Sequence, residues 1–163
     1  MIKFFLGIAI GILVPVLFVL GFVKLGFMPV ATKGSPLPLE HWIVKTALRA
    51  AIAPDLARVA PFELKDSERV AHASKIYVNH CGGCHGIENK ENLMAQSMFP
   101  PAPQFFTPGK EVTDDPVGKI YWKVKHGIRL TGMPAYESIL KEDEIWEVSL
   151  FLKNGLKVVL PLQ

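Results

Sequence analysis

A chain of 163 residues, half of them hydrophobic and with a mean hydropathy of +0.27, has room for one domain and an additional segment. It is more apolar than a wholly soluble protein. The net charge of +3 is uneven: Lys3, Lys24, Lys33, Lys45, Arg49 and Arg58 face only Glu40 and Asp55 in the first 58 residues. That excess suits anionic lipid headgroups and gives no reason to expect nucleic-acid binding.

From Phe4 to Val23 the chain reads FFLGIAIGILVPVLFVLGFV, without a charge. At about 1.5 Å per residue such a run crosses the core of a bilayer. Pro15 lies inside it, which a membrane helix tolerates better than a soluble one. A secretory signal would have an apolar region of about 7–15 residues, shorter than this one. Lys24 follows at once and no A-x-A site appears, so residues 1–27 are expected to form an uncleaved transmembrane anchor. Gly7 and Gly11 form G-x-x-x-G, a spacing that lets a second membrane helix approach and so suggests a subunit partner or a dimer. Lys3 on one side, with Lys24 and Lys33 on the other, gives no charge-based orientation.

Residues 28–66 read as a linker, with Pro29, Gly34, Ser35, Pro36 and Pro38 opposing regular structure. Within it an amphipathic helix is expected at about 40–53. His41, Lys45 and Arg49 form its polar stripe; Trp42, Ile43, Val44, Ala47, Leu48, Ala51 and Ile52 form a broad apolar face. Pro54 should end it. Its apolar face has two candidate destinations, the membrane interface or the following domain or a partner. PDLARVAPFELKD then reads as a second linker.

Residues 67–163 are expected to be an all-α domain. Ser67 is a plausible N-cap for a helix running into Cys81. Periodicity is lost from Gly82 to Asp115, a part that contains the proline-rich MFPPAPQFFTPG. Asp115-Pro116 suggests a cap followed by proline in the first turn, and Gly127 a left-handed stop. IRLTGMPAYES reads as loop. A final helix, EDEIWEVSLFLKN, has acids in its first turn and stops at Gly155, with Lys141 a poor cap. Loops this long in a small domain imply that something fills the space between them.

Both cysteines lie in HCGGCHG, residues 80–86. A disulfide across C-x-x-C closes too short a loop to stabilise much. A thioredoxin-like redox pair expects βαβ context, which is missing. Structural zinc needs four ligands, and His72, His80 and His126 are not in finger-like spacing. Cys-x-x-Cys-His instead fits covalent attachment of one haem c, with both thiols added to its vinyl groups and His85 beneath the iron.

The domain resembles the class I mono-haem cytochromes c over roughly Asp66 to Gly155. The resemblance rests on CGGCHG, on Tyr77 four residues before Cys81, on the TGMPAY loop, and on EIWEVSLFL with Phe151 at the usual Tyr position. Ala73 departs mildly from the Gly usual at the helix crossing. The resemblance implies Cys81 and Cys84 as attachment points, His85 as proximal ligand and Met133 as distal ligand. Met94, Met98 and His126 are rivals for the distal place, and Met28 lies in the linker. Pro100 or Pro101 is the expected carbonyl partner of the His85 ring. Phe99, Phe105, Phe106, Tyr121 and Trp122 are candidate pocket walls. Lys119, Lys123, Lys125 and Arg129 form a candidate basic docking patch.

The function so implied is one-electron transfer, not enzymatic catalysis, between a redox protein donor and acceptor. The setting is a bacterial inner membrane with the haem domain on the periplasmic or outer side. A haem c subunit of a membrane dehydrogenase, oxidase or nitrogen-oxide reductase is the alternative, and a haem-based gas sensor a third.

Overall fold

The computed structural model describes residues 1–87, 92–106 and 114–154. Gly155, expected as the final helix stop, lies outside the described residues. The chain forms two compact units, divided between His41 and Trp42.

In the first unit, α1 (Ile2–Lys24) is a single helix that contains Pro15. None of it is buried within the protein, and its charged residues, Lys3 and Lys24, lie at its two ends. At about 1.5 Å per residue it is long enough to cross a bilayer core.

The helix α2 (Glu40–Ile52) ends where a 3₁₀ turn, Ala53–Asp55, carries Pro54. Then come α3 (Ser67–His80), the one-turn helices α4 (Gly82–His85) and α5 (Leu93–Gln96), α6 (Val117–His126) and α7 (Glu142–Lys153). The domain is thus all-helical among the described residues, as its sequence predicts.

Three helix starts differ from expectation in detail. Asp66, not Ser67, caps α3: its carboxylate accepts from the N–H groups of Glu68 and Arg69 at 3.5 and 3.4 Å. A carboxylate there also meets the positive end of the helix dipole. Asp115 does not cap α6, whose N-cap is Pro116. Its carboxylate instead takes the ammonium groups of Lys119 and Lys123 at 2.6 and 3.2 Å. Lys141 does precede α7, and the start works because its N–H donates to Glu144 at 2.7 Å.

The core is built where α3 crosses α7. Ala73, Ser74, Tyr77, Val148, Ser149 and Phe151 are all fully buried. The small residues Ala73, Ser74 and Ser149 suit a close approach of the two helices. Each large apolar side chain buried here contributes roughly 1.5–3 kcal/mol. Tyr77 lies 6.0 Å from Phe151 and meets Phe106 edge-on at 5.1 Å. Its buried hydroxyl donates to the Gly86 carbonyl at 2.7 Å, which ties α3 to the turn after the cysteine motif.

The segment expected as a second linker is packed. Leu64 belongs to the core, with Ala60 and Phe62 against it. Arg58 lies over Tyr121 and Trp146, at 4.6 and 5.6 Å from their ring centres, and those rings stack on each other. It also pairs with Glu142 at 3.1 Å, and Glu142 accepts from the Tyr121 hydroxyl at 2.8 Å. Gly118 of α6 sits directly under this segment. A Cβ there would collide with the Asp55 carbonyl and come within 2.8 Å of that of Arg58. Gly118→Ala is therefore expected to destabilise the protein by about 1–3 kcal/mol, because backbone must move. Denaturant unfolding measures this, and an unchanged midpoint would mean the 53–58 segment is not held on α6.

Candidate functional site

A cavity of about 410 Å³ opens between the cysteine motif, α6 and two loops. Ile120, Val124, Ile128 and Leu152 supply apolar wall, and Cys81, Cys84, His85 and Met133 all border it. The four residues singled out from sequence thus line one space.

The cysteine motif reaches the cavity because α3 stops at Cys81 and one further turn, α4, carries Cys84 and His85. Gly86 ends that turn at a φ of 75°, a conformation glycine adopts freely. No disulfide joins Cys81 to Cys84. Burial, with Cys84 beside it, pushes the Cys81 thiol up to about 12. No cluster of three or more His, Cys, Asp or Glu side chains suited to a metal ion occurs among the described residues.

His85 is oriented from two sides. Its Nδ1 lies 2.8 Å from the carbonyl of Pro103, and a carbonyl only accepts, so Nδ1 carries the proton. Nε2 is left with a free lone pair. Phe105 stacks on the ring at 4.3 Å and 8°. Burial holds the imidazole below its usual pKa, and the charge of Lys123 adds to this; the bond to Pro103 opposes them. The ring is thus kept neutral, the form a ligand requires.

The partner carbonyl is Pro103, not Pro100 or Pro101. The reason is Gln104, a buried residue the sequence reading passed over. Its amide donates to the carbonyls of Cys84 and Ala102, both at 3.0 Å, and its oxygen accepts from the Asn92 N–H at 3.1 Å. With the Phe105 N–H donating to the His85 carbonyl at 3.2 Å, this draws residues 102–105 onto α4. A lone amide side chain amid PAPQFF was the available signal.

On the other side, Met133 sits in a braced loop. Its N–H donates to the Thr131 hydroxyl at 3.1 Å, and that hydroxyl donates to the Ile128 carbonyl at 2.7 Å. The Ile128 N–H returns to the Met133 carbonyl at 3.2 Å. Tyr136 anchors the loop's end, donating its hydroxyl to the His80 carbonyl at 2.5 Å. Of the rivals, Met98 also lines the cavity, beside Gly132. Met94 is exposed, and His126 lies against Trp122 and Glu137 on the outer end of α6; neither lines the cavity.

Among the five aromatic wall candidates only Phe105 borders the cavity. Phe106 and Tyr121 are spent on packing against Tyr77 and Trp146. The basic patch is weaker than its sequence suggests, since Lys119 and Lys123 share Asp115. Burial opposes the charged form of Asp115, but the two ammonium groups outweigh it and hold the carboxyl below its usual range.

The residues present fit a haem. Two thiols stand beside an imidazole with a free Nε2, and a thioether borders the same apolar space. Such a combination on an all-α scaffold defines a c-type cytochrome domain, a class that binds haem c and transfers electrons. The sequence model of the family "Cytochrome C oxidase, cbb3-type, subunit III" matches residues 68–152, just over half of the chain. The chain belongs to this family. Among solved structures it is similar to a chain of the reducing HAO-like protein complex Kustc0457/Kustc0458 of Kuenenia stuttgartiensis. Identity is 22% and the TM-score 0.48, over 60% of this chain and 48% of that one. The present chain therefore spans about half the length of that neighbour. No curated protein matches the sequence.

Proposed function

We propose that this protein is a membrane-anchored electron-transfer cytochrome carrying one haem c in residues 67–163. Residues 1–27 form the anchor and residues 28–66 connect it to the haem domain, with their last part, 54–66, packed on that domain. Cys81 and Cys84 would hold the haem as thioethers, and His85 and Met133 would supply the ligands to its iron. The observation that carries this reading is the single cavity bordered by all four residues, with His85 Nδ1 committed to Pro103 and Nε2 left free.

When bound, haem c supplies an iron that alternates between ferrous and ferric. The chain's own residues set the conditions. His85 is kept neutral and in one orientation. Met133 offers a soft sulfur, which favours the ferrous form and raises the potential. With both in place no coordination position is left for oxygen or peroxide, which supports electron transfer over catalysis.

Attachment to Cys-x-x-Cys-His in this class takes place outside the cytoplasm. The domain is therefore placed on the periplasmic or outer face of a bacterial plasma membrane, with redox proteins as donor and acceptor. A second reading, subunit of a membrane oxidoreductase, is favoured by the family's own description and by Gly7 and Gly11, which have open space around them in α1.

Absorbance spectra of the purified full chain, with and without carbon monoxide, test the proposal. A methionine–iron charge-transfer band and no response to carbon monoxide are expected, together with an intact mass raised by one haem. A carbon-monoxide-sensitive haem would overturn the electron-carrier reading in favour of gas sensing. Sizing in mild detergent separates a lone carrier from a subunit that co-purifies with a catalytic chain.

A further inference from the structure

We infer that α2 is an interfacial helix that binds the surface of an anionic lipid bilayer. This rests on the proposal that α1 spans that membrane.

At about 100° per residue, Ile43, Val44, Ala47, Ala50 and Ala51 fall within one arc roughly 120° wide, whose one charged residue is Glu40 in the first turn. The domain does not cover this arc. Ile43 is 55% exposed and Val44 37%, and the three alanines are exposed as well. Only Ile52, at the C-terminal end, is buried. Packing against the following domain, one of the two destinations the sequence allows, is thus not what the arc does.

Charge identifies the occupant. Lys45 and Arg49 lie on the far side of the helix from the arc and have no ion-pair partner among the described residues. Of the acids nearby, Asp55 pairs with Arg58 at 3.3 Å, and Glu40, which accepts from the Leu37 N–H at 2.8 Å, keeps its charge at the start of the helix without pairing with either cation. An apolar face with uncompensated cations opposite it is the pattern of a helix lying at the headgroup boundary. Each cation near an anionic surface adds attraction.

The consequence is orientation. Through the 3₁₀ turn, α2 leads directly into the Asp55–Arg58 segment that packs on α6 and α7. A helix fixed in the interface would therefore hold the cavity at a set attitude to the membrane, whereas a loose tether would let it swing.

The test uses the full haem-loaded chain in nanodiscs, with Val44→Trp in a Trp42→Phe background. Acyl chains brominated near the carbonyl end quench a tryptophan that enters the interface. The expected result is loss of most of the emission added by the new tryptophan, in discs containing phosphatidylglycerol. Ala51→Trp serves as a second probe should the first variant not incorporate haem. Lys45→Glu with Arg49→Glu should abolish the difference between phosphatidylglycerol and neutral discs. A probe that stays unquenched while the chain co-elutes with the disc overturns the inference and leaves the anchor reading intact. So does a probe shielded only when two copies share a disc, which would assign the arc to a second chain. A chain that does not co-elute with discs overturns the anchor reading, and this inference with it.

Discussion

Replacing Met133 by alanine is expected to lower the midpoint potential of the haem-loaded protein by on the order of 0.1 V or more. Axial ligands tune haem potentials over roughly 0.8 V, so losing a thioether is one of the largest single changes available. The methionine charge-transfer band should vanish and carbon monoxide should now bind. Met133 is half-buried, so the packing loss should fall below the ~2–5 kcal/mol typical of emptying a fully buried methionine site. The fold should therefore persist, and the change of potential can be read on a folded protein. Met98 borders the same cavity and is the alternative source of sulfur. If the band survives in Met133→Ala and disappears only when Met98→Ala is added, Met98 is the ligand. If the potential does not move in either variant, a methionine is not bound and the electron-carrier assignment loses its basis.

Much of the site was legible because its chemistry is written in contiguous residues. CGGCH carries the proposed attachment chemistry, and GMP places a thioether in a stiff loop. The helices were legible from apolar period and from acids and bases at their ends, which act locally. What escaped depends on contacts between segments far apart in the chain. Pro103 faces His85 because Gln104 bridges to Cys84, eighteen to twenty residues back, and nothing in the spacing of four prolines selects among them. Asp115 looked like a cap because Asp-Pro is a good local start signal. Two lysines one and two turns along α6 offered its carboxylate a stronger interaction. The 53–66 segment looked like a linker because Pro54 and Pro61 break periodicity. A linker and a packed irregular strap have the same local signals, and only the stacked Tyr121 and Trp146, distant in sequence, reveal that Arg58 docks there.

Gly127→Ala is expected to be the most disruptive change to the ligand loop that leaves every ligand in place. Gly127 ends α6 at a φ of 65°, which costs an L-residue about 1 kcal/mol or more. Space adds to the strain. A Cβ would lie 2.6 Å from the Pro134 carbonyl carbon, 2.7 Å from the Ala135 nitrogen and 2.8 Å from the Met133 carbonyl oxygen. All three are backbone atoms, so no side chain can turn aside. The 133–135 strand would have to retreat from α6, against the bonds from the Tyr136 N–H to Val124 and from the Glu137 N–H to Lys125. Overpacking of this kind costs about 1–3 kcal/mol in addition to the backbone term. Because the displaced atoms belong to Met133 and its neighbours, the sulfur should move with them. The variant is expected to unfold at lower denaturant and to lose the methionine band in part or in full, with the haem still attached through Cys81 and Cys84. A stability loss with the band and potential unchanged would show that Gly127 serves only the helix end. A joint loss would show that one glycine, six residues before Met133, sets where its sulfur points.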